Sequence, residues 1–201
     1  LARFETLARV PLTGVTARFS QEGTGRLQPL TSLASFALDG GRSLSLGLVT
    51  RADAAGPVRL SIEASADAAG RVPVESAAPA EIELLILQPA ALTASLQLQP
   101  PVVASGETFV LVVQVYNHGG TPVQQVRLLP PALQGSGTIV FPGPAPEVAG
   151  IQAGQSRDLR WVAKAGAPGP VELAVQLVAV EAVSGRRIGP VDAGSILLEI
   201  E

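Results

Sequence analysis

Residues 56–66 read GPVRLSIEASA, and the alternation in this stretch decides the fold class. Val58, Leu60, Ile62 and Ala64 are apolar, while Arg59, Ser61, Glu63 and Ser65 between them are polar. A period of two marks a β-strand with one face buried and the other in water. The same rhythm returns at Leu92, Ala94, Leu96 and Leu98, with Thr93, Ser95, Gln97 and Gln99 on the opposite face. Segments 108–116, 123–129, 157–163, 171–180 and 195–201 are rich in Val, Leu and Ile, and Gly, Pro or Ser clusters separate them. Turn signals about every ten residues predict an all-β sandwich or barrel. The Ala-rich pieces are too short and too often broken by Pro or Gly to make helices.

The same stretch also opens a repeat. GPVRL at 56–60 matches GPVEL at 169–173, an offset of 113 residues. Gly41-Arg42-Ser43 followed by Leu46 matches Gly154-Gln155-Ser156 followed by Leu159 at the same offset. Gly23-Thr24-Gly25 matches Gly135-Ser136-Gly137 at 112, and Pro11-Leu12 matches Pro122-Val123 at 111. Four matches in order with so little drift predict two copies of one β domain, over residues 1–88 and 89–201. The second copy opens with two strands, LTASLQLQ and ETFVLVVQVY, whereas the first has only LARFETLARV before its Pro11. The first is therefore expected to lack most of its two N-terminal strands. With about three buried side chains per strand at roughly 2 kcal/mol each, the deficit is on the order of 10 kcal/mol. That equals the whole stability of a small domain, so something is expected to fill the gap.

Composition narrows the function. A hydrophobic content of 47% over 201 residues suffices for real cores, and a net charge of -3 supplies no basic field for nucleic acid. Charged residues or Gly and Pro interrupt every apolar run before it reaches the roughly 18 residues of a membrane span. The chain starts at Leu1 with no basic-plus-apolar leader, and we expect a processed or excised segment. No Cys is present, which removes disulfides, thiolate zinc sites and cysteine nucleophiles together. Scarce Asn, absent Met and 17 prolines suit a hot or harsh setting, and a genomic base-composition bias gives the same pattern.

The second copy resembles a known family. PVVASGETFVLVVQVYNHGGTPVQQVRLLP, followed by VAGIQAGQSRDLRWVAKA and GPVELAVQLVAV, is similar to bacterial and archaeal immunoglobulin-like surface domains of the cell-adhesion-related (CARDB-like) and conserved-repeat kinds. The shared features are Gly106-Glu107 before an apolar strand, the turn Val115-Tyr116-Asn117-His118-Gly119-Gly120, and Ala153-Gly154-Gln155-Ser156 before the next strand. The resemblance implies two tandem immunoglobulin-like β-sandwiches that serve as spacer, adhesive module or appendage subunit at the cell surface. It carries no catalytic residues and no cofactor.

Residues 115–120, VYNHGG, hold the only Tyr, Asn and His of the chain, and such rarity invites an active-site reading. A metal site would need further ligands, and there is no second His or calcium-loop pattern. We expect instead an exposed turn, with Asn117 either at positive φ or capping the loop. Gly-x-Gly at 23–25 and 135–137 opens no helix, so a bulge or tight turn is expected in place of a phosphate cradle. Trp161 is either core, as a lone Trp in a sandwich usually is, or a ligand-stacking platform for carbohydrate. The paired Glu81 and Glu83, and Glu199 and Glu201, are read as solvated faces of the last strands.

The N-terminal stretch has two readings. Leu1, Ala2, Arg3, Phe4, Glu5, Thr6, Leu7, Ala8, Arg9 and Val10 are either the remnant of the first domain's own second strand or a subunit-interface strand exchanged between molecules. A head-to-tail exchange does not close and makes a filament. The sequence therefore points to a noncatalytic extracellular or cell-surface protein without cofactor, forming a homo-oligomer or homopolymer through sheet edges. The alternative is an accessory module that binds carbohydrate or protein for a larger secreted protein.

Overall fold

The structure, a computed structural model, describes residues 2–5, 11–32, 34–68, 72–75 and 78–201. Every strand or helix assigned among them is a strand, so the protein is all-β. The chain divides into two compact units, Leu1–Gln88 and Pro89–Glu201.

In the first unit the strands are β1 (Ala2–Glu5), β2 (Leu12–Gly23), β3 (Arg26–Pro29), β4 (Phe36–Leu38), β5 (Ser43–Leu46), β6 (Thr50–Ala54), β7 (Gly56–Ala68), β8 (Val72–Glu75) and β9 (Ala80–Ile86). The alternating stretch lies in β7, which is central in an antiparallel sheet. One edge of β7 pairs with β2, which in turn pairs with β4, and the other edge is shared by β8 and β9. Two short ladders, β1 with β5 and β3 with β6, complete the strand pairing among the described residues of the unit. Val58 and Leu60 are buried with Leu27, and Phe19 and Ile86 pack against them. Ile62 and Ala64 are only half-buried, so the alternation holds while the burial fades along the strand. Arg59 on the outer face reaches both Glu81 (3.7 Å) and Glu83 (3.3 Å), which are exposed on β9 as expected.

The second unit contains β10 (Leu92–Gln99), β11 (Thr108–Asn117), β12 (Val123–Leu128), β13 (Ala132–Gly135), β14 (Ile139–Val140), β15 (Glu147–Ile151), β16 (Ser156–Ala165), β17 (Gly169–Glu181) and β18 (Arg187–Ile200). One sheet has the order β10-β11-β16-β14. In the other, β17 pairs with β18 on one edge and with both β12 and β13 on the opposite edge, and β15 lies beyond β12. The break between β12 and β13 contains Pro130 and Pro131, which have no N–H to donate to a ladder. Phe109, Leu111, Val113 and Val115 from the first sheet and Val171, Leu173, Val175 and Leu177 from the second meet in one core. Two sheets around one apolar layer make this unit a sandwich. Strand β18 begins eight residues before the expected 195, because Gly189, Pro190 and Gly194 hide its alternation and its register against β17 slips twice.

The Gly-x-Gly motifs mark the same backbone crossing in both units. A Cβ on Gly23 would lie 2.3 Å from Pro57 O, and one on Gly135 would lie 2.1 Å from Pro170 O. Both glycines have positive φ, 117° and 140°. Gly25 N–H donates to Pro57 O (3.0 Å), and Gly137 N–H donates to Pro170 O (3.1 Å). The motif lets two strands approach more closely than any side chain allows.

Candidate functional site

The VYNHGG stretch ends β11 and turns the chain toward β12. Tyr116 and His118 are exposed on the outer face, their rings stacked with centroids 6.2 Å apart. Asn117, one step out of phase, points inward and is completely buried. Its φ is not positive, so of the two expected roles it takes the cap. The Oδ1 accepts from Gly119 N–H (3.1 Å) and Ala91 N–H (3.4 Å), while Nδ2 donates to Thr121 O (2.8 Å) and Ile151 O (3.4 Å). One amide thus bonds four backbone groups, from the turn itself, from the segment before β10 and from the end of β15. Gly119 is needed because a Cβ there would sit 2.5 Å from Ala91 N and 2.6 Å from Ala90 Cα. The turn therefore grips the segment Pro89–Ala91 that leads into β10, and His118 N–H donates to Ala91 O (2.9 Å).

A second polar group completes this end of the unit, and the sequence reading missed it. Glu181 at the end of β17 is buried. Its Oε1 accepts from Ala90 N–H (2.7 Å) and Thr121 Oγ1 (2.8 Å), Ser184 Oγ bonds Oε2, and Arg186 Nε lies 3.8 Å from Oε2. The hydrogen bond from Ser184, then those from Ala90 and Thr121, and the Arg186 charge lower its pKa to about 2 against the opposing effect of burial. A signal existed: Glu181 continues the inward series Val171, Leu173, Val175, Leu177, Ala179 at period two. A carboxylate on a buried face calls for donors, and the loop and hairpin supply them. It is a structural carboxylate.

Asn117→Ala is expected to lower the stability of the second unit by about 2 kcal/mol, because four backbone groups lose a partner. His118→Ala is expected to change it by less than about 0.5 kcal/mol. Urea unfolding followed through Trp161 separates the two, and a large loss in His118→Ala would refute the turn role.

Trp161 lies on β16 and is 7% exposed. Its ring packs on Phe141 with centroids 4.6 Å apart, and Nε1–H donates to Gly143 O (3.3 Å). A stacking platform needs an open ring face, and this ring is covered. Its emission is expected to be blue-shifted and indifferent to added polysaccharide; a red-shifted, polysaccharide-quenched emission would contradict the burial.

Of the ten N-terminal residues, Ala2, Arg3, Phe4 and Glu5 form β1, antiparallel to Ser43–Leu46 of the same unit. Leu1, Thr6, Leu7, Ala8, Arg9 and Val10 lie outside the described residues. On the second unit, an open groove of about 470 Å³ is lined by Gln125, Arg127, Glu147 and Arg187 among others. Gln125 has a φ of 52°, at the bulge where β12 slips against β17. Among the described residues no group of three or more His, Asp or Glu could hold a metal ion. No protein-family model matches the chain, and no curated protein matches it.

Proposed function

We propose that the chain is a noncatalytic structural protein of an extracellular surface, a subunit of a filament, pilus-like appendage or surface layer joined through β-strand pairing. The observation that carries this reading is the contrast between two units built on the same Gly-x-Gly and Gly-Pro-Val crossing. The second closes a core of 24 buried residues, and among the described residues the corresponding cluster of the first has three, Leu27, Val58 and Leu60, with Val15 and Leu38 buried outside it. A sheet with so little covering its apolar face gains most by pairing with another chain. The strand order of the second unit supports membership in the immunoglobulin-like class. Its β10-β11-β16-β14 sheet and its β12-β17-β18 core correspond to the ABED and CFG sheets of that fold, with β15 added at the edge. Among the described residues no helix is long and apolar enough to cross a membrane.

Electron microscopy of native material tests the reading. Filaments or a lattice labelled by antibodies to this chain are the expected result, and isolated particles overturn it. The groove at Arg127 and Arg187 favours a second reading, an accessory module that binds an acidic glycan or peptide. Under that reading, isolated particles bind an anionic polysaccharide and lose it when both arginines become Ala.

A further inference from the structure

Strand β16 is paired along its length on one edge and only at its end on the other. Toward β11 the ladder runs from Tyr116↔Ser156 to Thr108↔Lys164, and Ala165 N–H donates to Glu107 O (2.9 Å). Odd-numbered residues therefore close that ladder, and the backbone N–H and C=O groups of Asp158, Arg160 and Val162 point the other way. On that side β14 covers only Lys164 and Ala165, through Val140 and Ile139. Among the described residues no strand or loop backbone pairs with Asp158, Arg160 or Val162 there.

The physical reason lies in the loop FPGPAP, residues 141–146. Continuing the register Ile139↔Ala165 and Val140↔Lys164 would set Pro142 opposite Val162, Pro144 opposite Arg160 and Pro146 opposite Asp158. Each of those positions would have to donate an N–H to β16, and proline has none. Three prolines at period two thus stop the chain from closing its own edge. Phe141 instead packs on the Trp161 ring, and Gly143 O accepts Trp161 Nε1–H (3.3 Å) on the inner side of the strand. By Pro146 the chain has reached the other sheet, where Pro146 O accepts Leu128 N–H (3.2 Å). The open edge carries exposed Asp158 and Arg160 on its outer face, and Val162 beside them is 48% exposed.

We propose that this edge of β16 pairs with the same edge of a second copy of the chain, antiparallel about a two-fold axis at Leu159. In that register Asp158 of each copy faces Arg160 of the other, and Ser156 faces Val162. These are the positions whose backbone groups point outward, so the two strands exchange N–H and C=O bonds at each. The order of charges selects both partner and register. Asp158 and Arg160, 4.0 Å apart within one chain, join their copies in a row of four charges of alternating sign. Moving the axis to Arg160 or to Asp158 sets like charges opposite each other instead. Arg157 faces Trp161 of the other copy, and Lys164 stays beside β14, outside the shared ladder. The inference rests on the structural-subunit reading and supplies one of its contacts. A two-fold contact closes on itself, so growth of a filament or lattice runs through a second surface.

The test follows self-association of the 201-residue chain by sedimentation, with amide exchange read at Asp158, Arg160 and Val162. The expected result is a concentration-dependent dimer in which those three amides exchange about tenfold more slowly than in the dilute chain. Asp158→Arg and Arg160→Asp are each expected to weaken the dimer about tenfold, because each sets like charges opposite across the axis. An equimolar mixture of the two variants is expected to restore it, since two arginines of one chain then face two aspartates of the other. Both substitutions lie on the solvated face, and unchanged thermal unfolding shows that the unit stays folded. A chain that remains monomeric at its highest soluble concentration overturns the proposal. So does a dimer that neither variant weakens, a mixture no tighter than the variants alone, or an edge protected only by a polypeptide of different sequence. Filaments that form unchanged from Asp158→Arg subunits overturn only this inference, and native material found as isolated two-fold dimers overturns only the filament reading.

Discussion

Glu181→Ala is expected to destabilise the second unit by about 3 kcal/mol at neutral pH, since it leaves the Ala90 N–H and the Thr121 hydroxyl buried without an acceptor. For a unit of this size the midpoint of thermal unfolding should fall by roughly 10 °C or more. Glu181→Gln keeps the shape and one oxygen, so its loss at pH 7 should be smaller. The two variants also separate packing from charge. In the folded protein the carboxyl titrates near 2, below its ordinary 4.5, so the anion stabilises the fold fully above the ordinary value. That contribution is lost progressively as the pH falls from about 4.5 through 2. A depression of this size is worth at most about 3 kcal/mol, and solvent screening at the end of the sandwich lowers it to about 2. Urea unfolding monitored at Trp161 should therefore show the wild type approaching Glu181→Gln as the pH drops from 5 to 2. Parallel curves for the two proteins across that range would show that the carboxylate charge is not what the donors hold.

Gly135→Ala is expected to cost still more, about 4 kcal/mol. The new methyl would sit 2.1 Å from Pro170 O and 2.9 Å from Val171 Cα, both backbone atoms that cannot rotate away, at a φ of 140° that an L side chain rarely adopts. The only relief is to push β13 away from β17, which breaks the ladder from Gly135↔Val171 to Ala132↔Ala174. Gly143→Ala is the control, because nothing lies within 4 Å of its added carbon and its φ is not positive. Amide exchange should rise along β13 in the first variant and stay unchanged in the second. A Gly135→Ala protein as stable as the control would mean that the two strands do not cross this closely.

Much of this architecture was legible in the chain. Alternation at Val58, Leu60 and Ile62 or at Leu92, Ala94 and Leu96 is a property of consecutive residues, and period two has one structural meaning in a half-buried element. The repeat was legible for the same reason: equal spacing of Gly-x-Gly and Gly-Pro-Val needs only counting. What spacing could not give was the job of the glycines. Gly23 and Gly135 were expected in a turn or bulge, and they serve a backbone crossing whose partners, Pro57 and Pro170, lie more than thirty residues away. Glu181 was missed because its alternation with Ala179 and Leu177 says that it faces inward, while its donors come from Ala90, Thr121 and Ser184 on three separate segments.

The sequence by itself determined that the protein is all-β and that VYNHGG is a turn, because periodicity and turn chemistry act between near neighbours. Only the tertiary structure decided that Asn117 is buried while His118 is exposed, that Trp161 is covered by Phe141, and that Ala2–Glu5 pairs with Ser43–Leu46. Each of these depends on which distant strand lies alongside. Backbone hydrogen bonds between strands are made by groups common to nearly all residues, so the sequence carries the face each side chain takes but not the neighbour it meets.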